Sequence, residues 1–179
     1  MIKGSKLINL TMLSGRELEN NFCVDNLIFS RKNFKLLALR VKQKKHHHKG
    51  VQILPFDDIK KINNDGLMFT SYKQIIDVNQ IPRVKEAYYN PINILGSYIY
   101  TNKGDLVGII KDTIIKKNNG KIIAFIISEG VYNDLICGYS LLPNINCVSM
   151  QDDYIVINDN VLKSILHKES GLKKILGIE

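Results

Sequence analysis

Three adjacent histidines, His46, His47 and His48, stand inside a run of lysines, Lys42, Lys44, Lys45 and Lys49. Imidazole is a common metal ligand, and on an extended segment His46 and His48 share a face while His47 points away. Zinc takes three protein ligands even at a catalytic site, and no Cys or Glu stands at a spacing that completes the set. The neighbouring lysines add positive charge that opposes a cation. No metal ion or other cofactor is therefore expected. The same run has a second chemistry, because each lysine that meets a phosphate adds salt-dependent, sequence-independent affinity. No aromatic residue lies within 42–49 to stack on a base, so specific recognition of a single strand is not encoded there. Lys42, Lys44, Lys45, His46, His47, His48 and Lys49 are the candidate contacts to an anionic partner. The simpler alternative is a solvated hairpin tip.

Other reactive groupings are scarce. The chain has no Gly-x-x-x-x-Gly-Lys-Ser/Thr phosphate cradle, no Gly-x-Ser-x-Gly elbow and no His-Glu-x-x-His pair. Asp57-Asp58 and Asp152-Asp153 are sequence neighbours, and on a strand their side chains diverge, which suits turns better than acid–base work on one atom. Cys23, Cys137 and Cys147 form no Cys-x-x-Cys spacing and read as reduced, buried thiols. No enzymatic activity is expected.

The elements that must position these residues follow from composition and pattern. The 179 residues are 45% hydrophobic and 23% charged, an ordinary globular balance with room for one or two small cores. The formal charge of +8 is uneven: residues 1–90 hold 16 Lys/Arg against 8 Asp/Glu, and residues 91–179 hold 9 against 9. That asymmetry points to an anionic partner for the first half, be it nucleic acid, an acidic protein or a membrane surface. Lysine as plain surface solubiliser accounts for the same count. No apolar run reaches the ~20 residues that span a bilayer, so membrane contact is limited to the surface. The opening Met1-Ile2-Lys3-Gly4-Ser5-Lys6 leads into a stretch too short and too polar for a signal peptide, and a cytoplasmic location is expected.

Internal repetition organises the rest. Lys35-Leu36-Leu37-Ala38-Leu39-Arg40-Val41 is echoed 86 positions later by Lys121-Ile122-Ile123-Ala124-Phe125-Ile126-Ile127, and Leu54-Pro55 is echoed 88 positions later by Leu142-Pro143. A near-constant offset argues for a duplicated unit. Strands are expected over 22–29, 34–41, 51–54 and 67–72, then over 97–100, 106–115, 121–128, 138–142 and 154–157. Turns fall at Ser30-Arg31-Lys32-Asn33, at Asn63-Asn64-Asp65-Gly66, at Asn102-Lys103-Gly104-Asp105 and at Asn119-Gly120. Short strands at this spacing indicate a barrel or sandwich. The fold class is mainly β: a first basic domain over 1–78, an ordered linker over 79–93, a second domain over 94–160 and a C-terminal amphipathic helix over 161–179. Val161, Leu162, Ile165 and Leu166 share one face of that helix, which either covers a barrel edge or docks on a partner or membrane surface.

The second repeat resembles the PRC-barrel family, whose β-barrel occurs in the cytoplasmic domain of the photosynthetic reaction-centre H subunit and in the C-terminal half of a bacterial ribosome-maturation factor. The resemblance is carried by Leu95-Gly96-Ser97-Tyr98-Ile99, by Asn102-Lys103-Gly104-Asp105-Leu106-Val107-Gly108-Ile109-Ile110-Lys111-Asp112 and by Gly120-Lys121-Ile122-Ile123-Ala124. The first repeat resembles tandem PRC-barrel proteins of bacteria through the run from Lys49 to Ile59 and through Asn64-Asp65-Gly66. It departs at Leu13-Ser14-Gly15-Arg16-Glu17-Leu18, which lacks the glycine turn of the second repeat. The resemblance implies two tandem small PRC-type barrels and no shared catalytic residues. It implies an adaptor that binds a protein partner, with RNA or ribosome association through the basic first domain as the alternative.

Overall fold

The structure, a computed structural model, describes residues 1–14, 22–43, 50–63, 66–144, 149–150 and 153–167. The chain is mainly β and divides into two compact units. Unit 1 is Met1–Ile92 with Ile115–Lys121, and unit 2 is Asn93–Ile114 with Ile122–Glu179.

In unit 1, β1 (Ile2–Lys3) is followed by β2 (Met12–Ser14), β3 (Phe22–Phe29), β4 (Leu36–Gln43), β5 (Gln52–Pro55), β6 (Ile59–Ile62), β7 (Leu67–Phe69) and β8 (Ile76–Asp77), then by helix α1 (Pro82–Tyr89). The strands order as β3-β4-β5-β8 and as β2-β7-β6. β3 carries Phe22, Val24, Ile28 and Phe29, β4 is held by the burial of Leu36, Leu37, Leu39 and Val41, and a tight polar turn joins them. Leu36, Leu37, Ala38 and Leu39 are all buried, so β4 is covered on both faces. α1 provides one cover: Val84 packs with Ile28, Ala38, Ile53 and Val78, and Tyr88 leans on the same cluster. Pro82 begins this helix at a position whose amide needs no partner, and Val84, Ala87 and Tyr88 recur at helical spacing.

In unit 2, β9 (Tyr98–Thr101), β10 (Leu106–Ile115), β11 (Ile122–Ser128), helix α2 (Val131–Ile136), β12 (Ser140–Pro143), β13 (Ser149–Met150), β14 (Tyr154–Ile157), helix α3 (Asp159–Leu162) and β15 (Leu166–His167) follow in turn. Their order is β13-β14-β9-β10-β11-β12-β15. Ile99, Ile110, Phe125, Leu142, Ile155 and Ile157 are fully buried between them. Among the described residues the ladders run from β13 to β15 without returning to the start, so they do not close a ring.

The sequence offsets coincide with strand register. Ala38 pairs with Pro55 and Leu39 with Leu54, while Ala124 pairs with Pro143 and Phe125 with Leu142. β2 and β7 run parallel with Met12 opposite Leu67, and β9 and β14 run parallel with Ile99 opposite Ile155. Ile62 pairs with Leu67, and Met150 with Ile155. Gln52 pairs with Asp77, and Ser140 with His167. The hairpin turns match atom for atom. The Ser30 amide donates to Lys35 O and the Phe34 amide to Ser30 O, while the Lys116 amide donates to Lys121 O and the Gly120 amide to Lys116 O. The units differ where the glycine turn is missing. β9 pairs directly with β10, but among the described residues β2 forms no ladder with β3, which is met instead by Asn9, Leu10 and the isolated bridge of Thr11 to Cys23.

Several expectations need correction. The strand expected over 51–54 is Gln52–Pro55, and Pro55 closes it as a paired residue opposite Ala38, where a missing N–H is tolerated. The strand expected over 67–72 ends at Phe69, and Tyr72–Gln74 forms a 3-10 turn. The ordered linker expected over 79–93 includes α1, and α2 stands between the strands expected over 121–128 and 138–142. The C-terminal helix is the four-residue α3, which starts at Asp159 and is capped by Asn158 Oδ1 accepting the Val161 amide at 2.9 Å. Leu166, placed on the stripe of that helix, is instead in β15, paired with Leu141. The remainder of the expected helix, residues 168–179, lies outside the described residues.

Candidate partner-binding surfaces

Of the candidate anionic contacts, Lys42 is the one the structure describes. It is a strand residue of β4, not the start of a loop, because the alternation of buried Leu39 and Val41 carries the ladder on to Gln43. Its Nζ lies 3.6 Å from Asp25 Oδ1, and Asp25 also pairs with the Arg40 guanidinium. Lys44, Lys45, His46, His47, His48 and Lys49 lie outside the described residues.

The charge asymmetry is steeper by unit than by halves of the sequence. Lys116, Lys117 and Lys121 belong to unit 1, which thereby holds 19 Lys/Arg against 8 Asp/Glu, a net +11. Unit 2 holds 6 against 9, a net −3. The Lys117 ammonium is tied down by donating to Ile62 O at 2.8 Å. Asp57, read as a turn residue, sits in the 3-10 turn Phe56–Asp58 and also braces two cations, Lys35 at 3.4 Å and Arg83 at 3.1 Å. Such exposed pairs contribute little stability. Their consequence is placement: they hold cations beside α1.

Unit 2 contains a grouping the sequence did not single out. Ser140 Oγ lies 3.0 Å from His167 Nδ1, and Glu129 Oε1 lies 3.5 Å from the same nitrogen. A serine relay requires the acid and the hydroxyl on opposite ring nitrogens. Here both converge on Nδ1, and Ser140 is buried, so the trio pins β15 to β12 and does not form a nucleophile. Neither described cysteine, buried Cys23 or half-buried Cys137, is in a disulfide, and Cys147 lies outside the described residues. Among the described residues no three His, Cys, Asp or Glu side chains gather around a common point.

Two surfaces of unit 2 are open and apolar. On α2, Val131, Tyr132 and Leu135 are 86%, 76% and 59% exposed, on one helical face. The helix is held from beneath: Asp134 accepts from Ser128 Oγ and, at 3.2 Å, from the Glu129 amide. On the β9–β14 pair, Tyr98, Tyr100 and Tyr154 form a ridge with ring centroids 6.2 and 6.0 Å apart. Their strand neighbours Ile99 and Ile155 point inward, so alternation dictates that the tyrosines point out. Scattered exposed apolar residues are ordinary, but a helix that offers three together is a contact surface in waiting. Among the described residues no helix is long and apolar enough to cross a membrane.

Residues 89–162 match the family model of the PRC-barrel domain. No curated protein matches the chain.

Proposed function

We propose that this chain, whose residues 89–162 are a PRC-barrel domain, is a non-enzymatic adaptor that works in the cytoplasm and binds a protein partner. The observation that carries the reading is the match itself, in a segment whose motif residues have structural work. Gly108 and Asp112 lie in β10, Gly104 turns the chain at φ +90°, and Asp105 closes that turn through Thr101 Oγ1. A scaffold whose distinctive residues are spent on its own backbone acts through the surface it presents. The exposed face of α2 is the part of unit 2 best suited to that role.

The equivalent registers of the two units support a duplicated origin, with unit 1 as a diverged second copy of the same domain. Duplication doubles the presenting surface, and two contacts on one chain raise avidity without a new kind of interaction.

The test is capture with the tagged full-length chain from its host, with and without ribonuclease. One protein recovered in near-equal amount, unaffected by the nuclease, is the expected result. Recovery of RNA or ribosomes alone, lost on nuclease treatment, overturns the reading in favour of RNA association through the basic unit.

A further inference from the structure

β3 is an outer strand of its sheet, and among the described residues only part of its edge is covered. The Asn9 amide donates to Val24 O at 2.8 Å and the Val24 amide to Leu10 O at 3.1 Å, so the first half pairs with the chain before β2. At Asp25 the register slips, and beyond it that cover ends. The Leu27 amide is plugged by the side chain of its neighbour, Asn26 Oδ1, at 2.8 Å. A short polar side chain that satisfies its neighbour's amide is a reversible guard on an open edge.

A groove follows this edge, with α1 as its other wall. Beside residues 26–29 it is a recess of about 470 Å³ with Leu27, Phe29, Tyr88 and Tyr89 among its lining. Arg40 lines the same recess, and its Nε is buried without an acceptor. Beside residues 30–33 it becomes a recess of about 390 Å³ lined by Arg31, Lys32, Lys35 and Arg83, with Glu86 the one lining carboxylate. Ala87 borders both recesses. A stretch lined by Leu27, Phe29, Tyr88 and Tyr89 beside the end of β3 therefore gives way, past Phe29, to a cationic stretch at the β3–β4 turn.

We infer that this groove receives an extended segment of a protein partner, apolar at one end and acidic at the other, which adds to β3 as a further strand. Main-chain hydrogen bonds to the Leu27 edge supply affinity, and the two recesses read side chains and fix direction. An incoming carbonyl replaces Asn26 on the Leu27 amide, and the acidic end meets the surplus of cations around Arg31 and Lys32. The inference rests on the adaptor reading and names the chemistry of the segment.

Two fluorescein-labelled ten-residue peptides test it by anisotropy on the full chain at physiological salt. One has an alternating valine–threonine half followed by five glutamates, and the other has the halves exchanged. One order binds at least about tenfold more tightly than the other, because the recesses occur in a single order from the end of β3 to the turn that follows it. Asn26→Ala unplugs the edge and raises that affinity about threefold. Exchanging both cations, R31E with K32E, lowers it at least about tenfold. No binding by either peptide, equal binding by both, or indifference to Asn26→Ala overturns the inference. So does poly(U) binding that outcompetes the peptides and shows the same R31E/K32E sensitivity, which would assign the groove to RNA. If the captured protein of the previous section binds R31E/K32E unchanged, the groove assignment fails while the adaptor reading stands.

Discussion

A Cβ built on Gly108 would stand 2.5 Å from the backbone oxygen of Ser128, on the strand alongside. No flexible side chain is there to give way, so Gly108→Ala forces β10 and β11 apart. The expected cost is about 2–3 kcal/mol, read as a lower urea midpoint at unchanged slope. Gly120 has a different task. Its φ is +71°, at the left-handed corner of the β10–β11 turn, and the matched corner of the β3–β4 turn is occupied by Phe34 at φ +52°. A left-handed non-glycine residue costs about 1–2 kcal/mol. The Asn119-Gly120 dipeptide announced its turn in the sequence, while Asn33-Phe34 announced only polarity before an aromatic. The conformation at Phe34 is imposed by the ladder on both sides, since the Ser30 amide and Lys35 O close the same four-residue loop that the Lys116 amide and Lys121 O close in the other hairpin.

Short elements hold their places through side-chain caps as much as through packing. The 3-10 turn after β7 carries a complete capping box. Gln74 Oε1 accepts the Thr70 amide at 2.9 Å and the Ser71 amide at 3.3 Å, and Ser71 Oγ accepts the Lys73 amide. Replacing Gln74 with Ala leaves two amides to water and is expected to cost about 1–2 kcal/mol, measured by thermal or chemical denaturation of the full chain. Asn158 does the corresponding work for α3. Both caps are polar residues that follow an apolar strand within a few positions. α1 was legible too, as Pro82 followed by Val84, Ala87 and Tyr88 at helical spacing. Proline and mixed charge nearby invite the competing reading of an irregular connector. α2 is harder, because its apolar residues face outward, so no amphipathic stripe points to a core.

On the scale of the molecule, the exposure of α2 separates binding from stability. Val131 and Leu135 touch solvent over most of their surface, so V131D with L135D shifts stability by no more than about 0.5 kcal/mol. Recovery of the protein partner by the full chain is expected to fall sharply in the same variant. A variant that melts at the same temperature and captures the partner unchanged shows that this face is not the contact. The +11 on unit 1 acts over a longer range: it speeds encounter with acidic surfaces and weakens as salt rises. Its full size was hidden in the linear sequence because three of the lysines stand far along the chain, at 116, 117 and 121.

Local chemistry was enough to determine several strands. β3 over 22–29, β10 over 106–115 and β14 over 154–157 coincide with the runs expected, since apolar alternation between turn residues specifies them without help from elsewhere. The echo at offsets 86 and 88 likewise contained the register of β4–β5 and β11–β12. Tertiary structure alone decided β6, β8, β13 and β15. Each is two to four residues long, too short to favour extension by itself, and each exists because a partner strand supplies its hydrogen bonds: the next strand for β6 and β13, one more than twenty residues earlier for β8 and β15. Parallel pairing of β2 with β7 and of β9 with β14 was beyond the sequence for the same reason: the partners are more than fifty residues apart, and no local signal records which edge is left to be met.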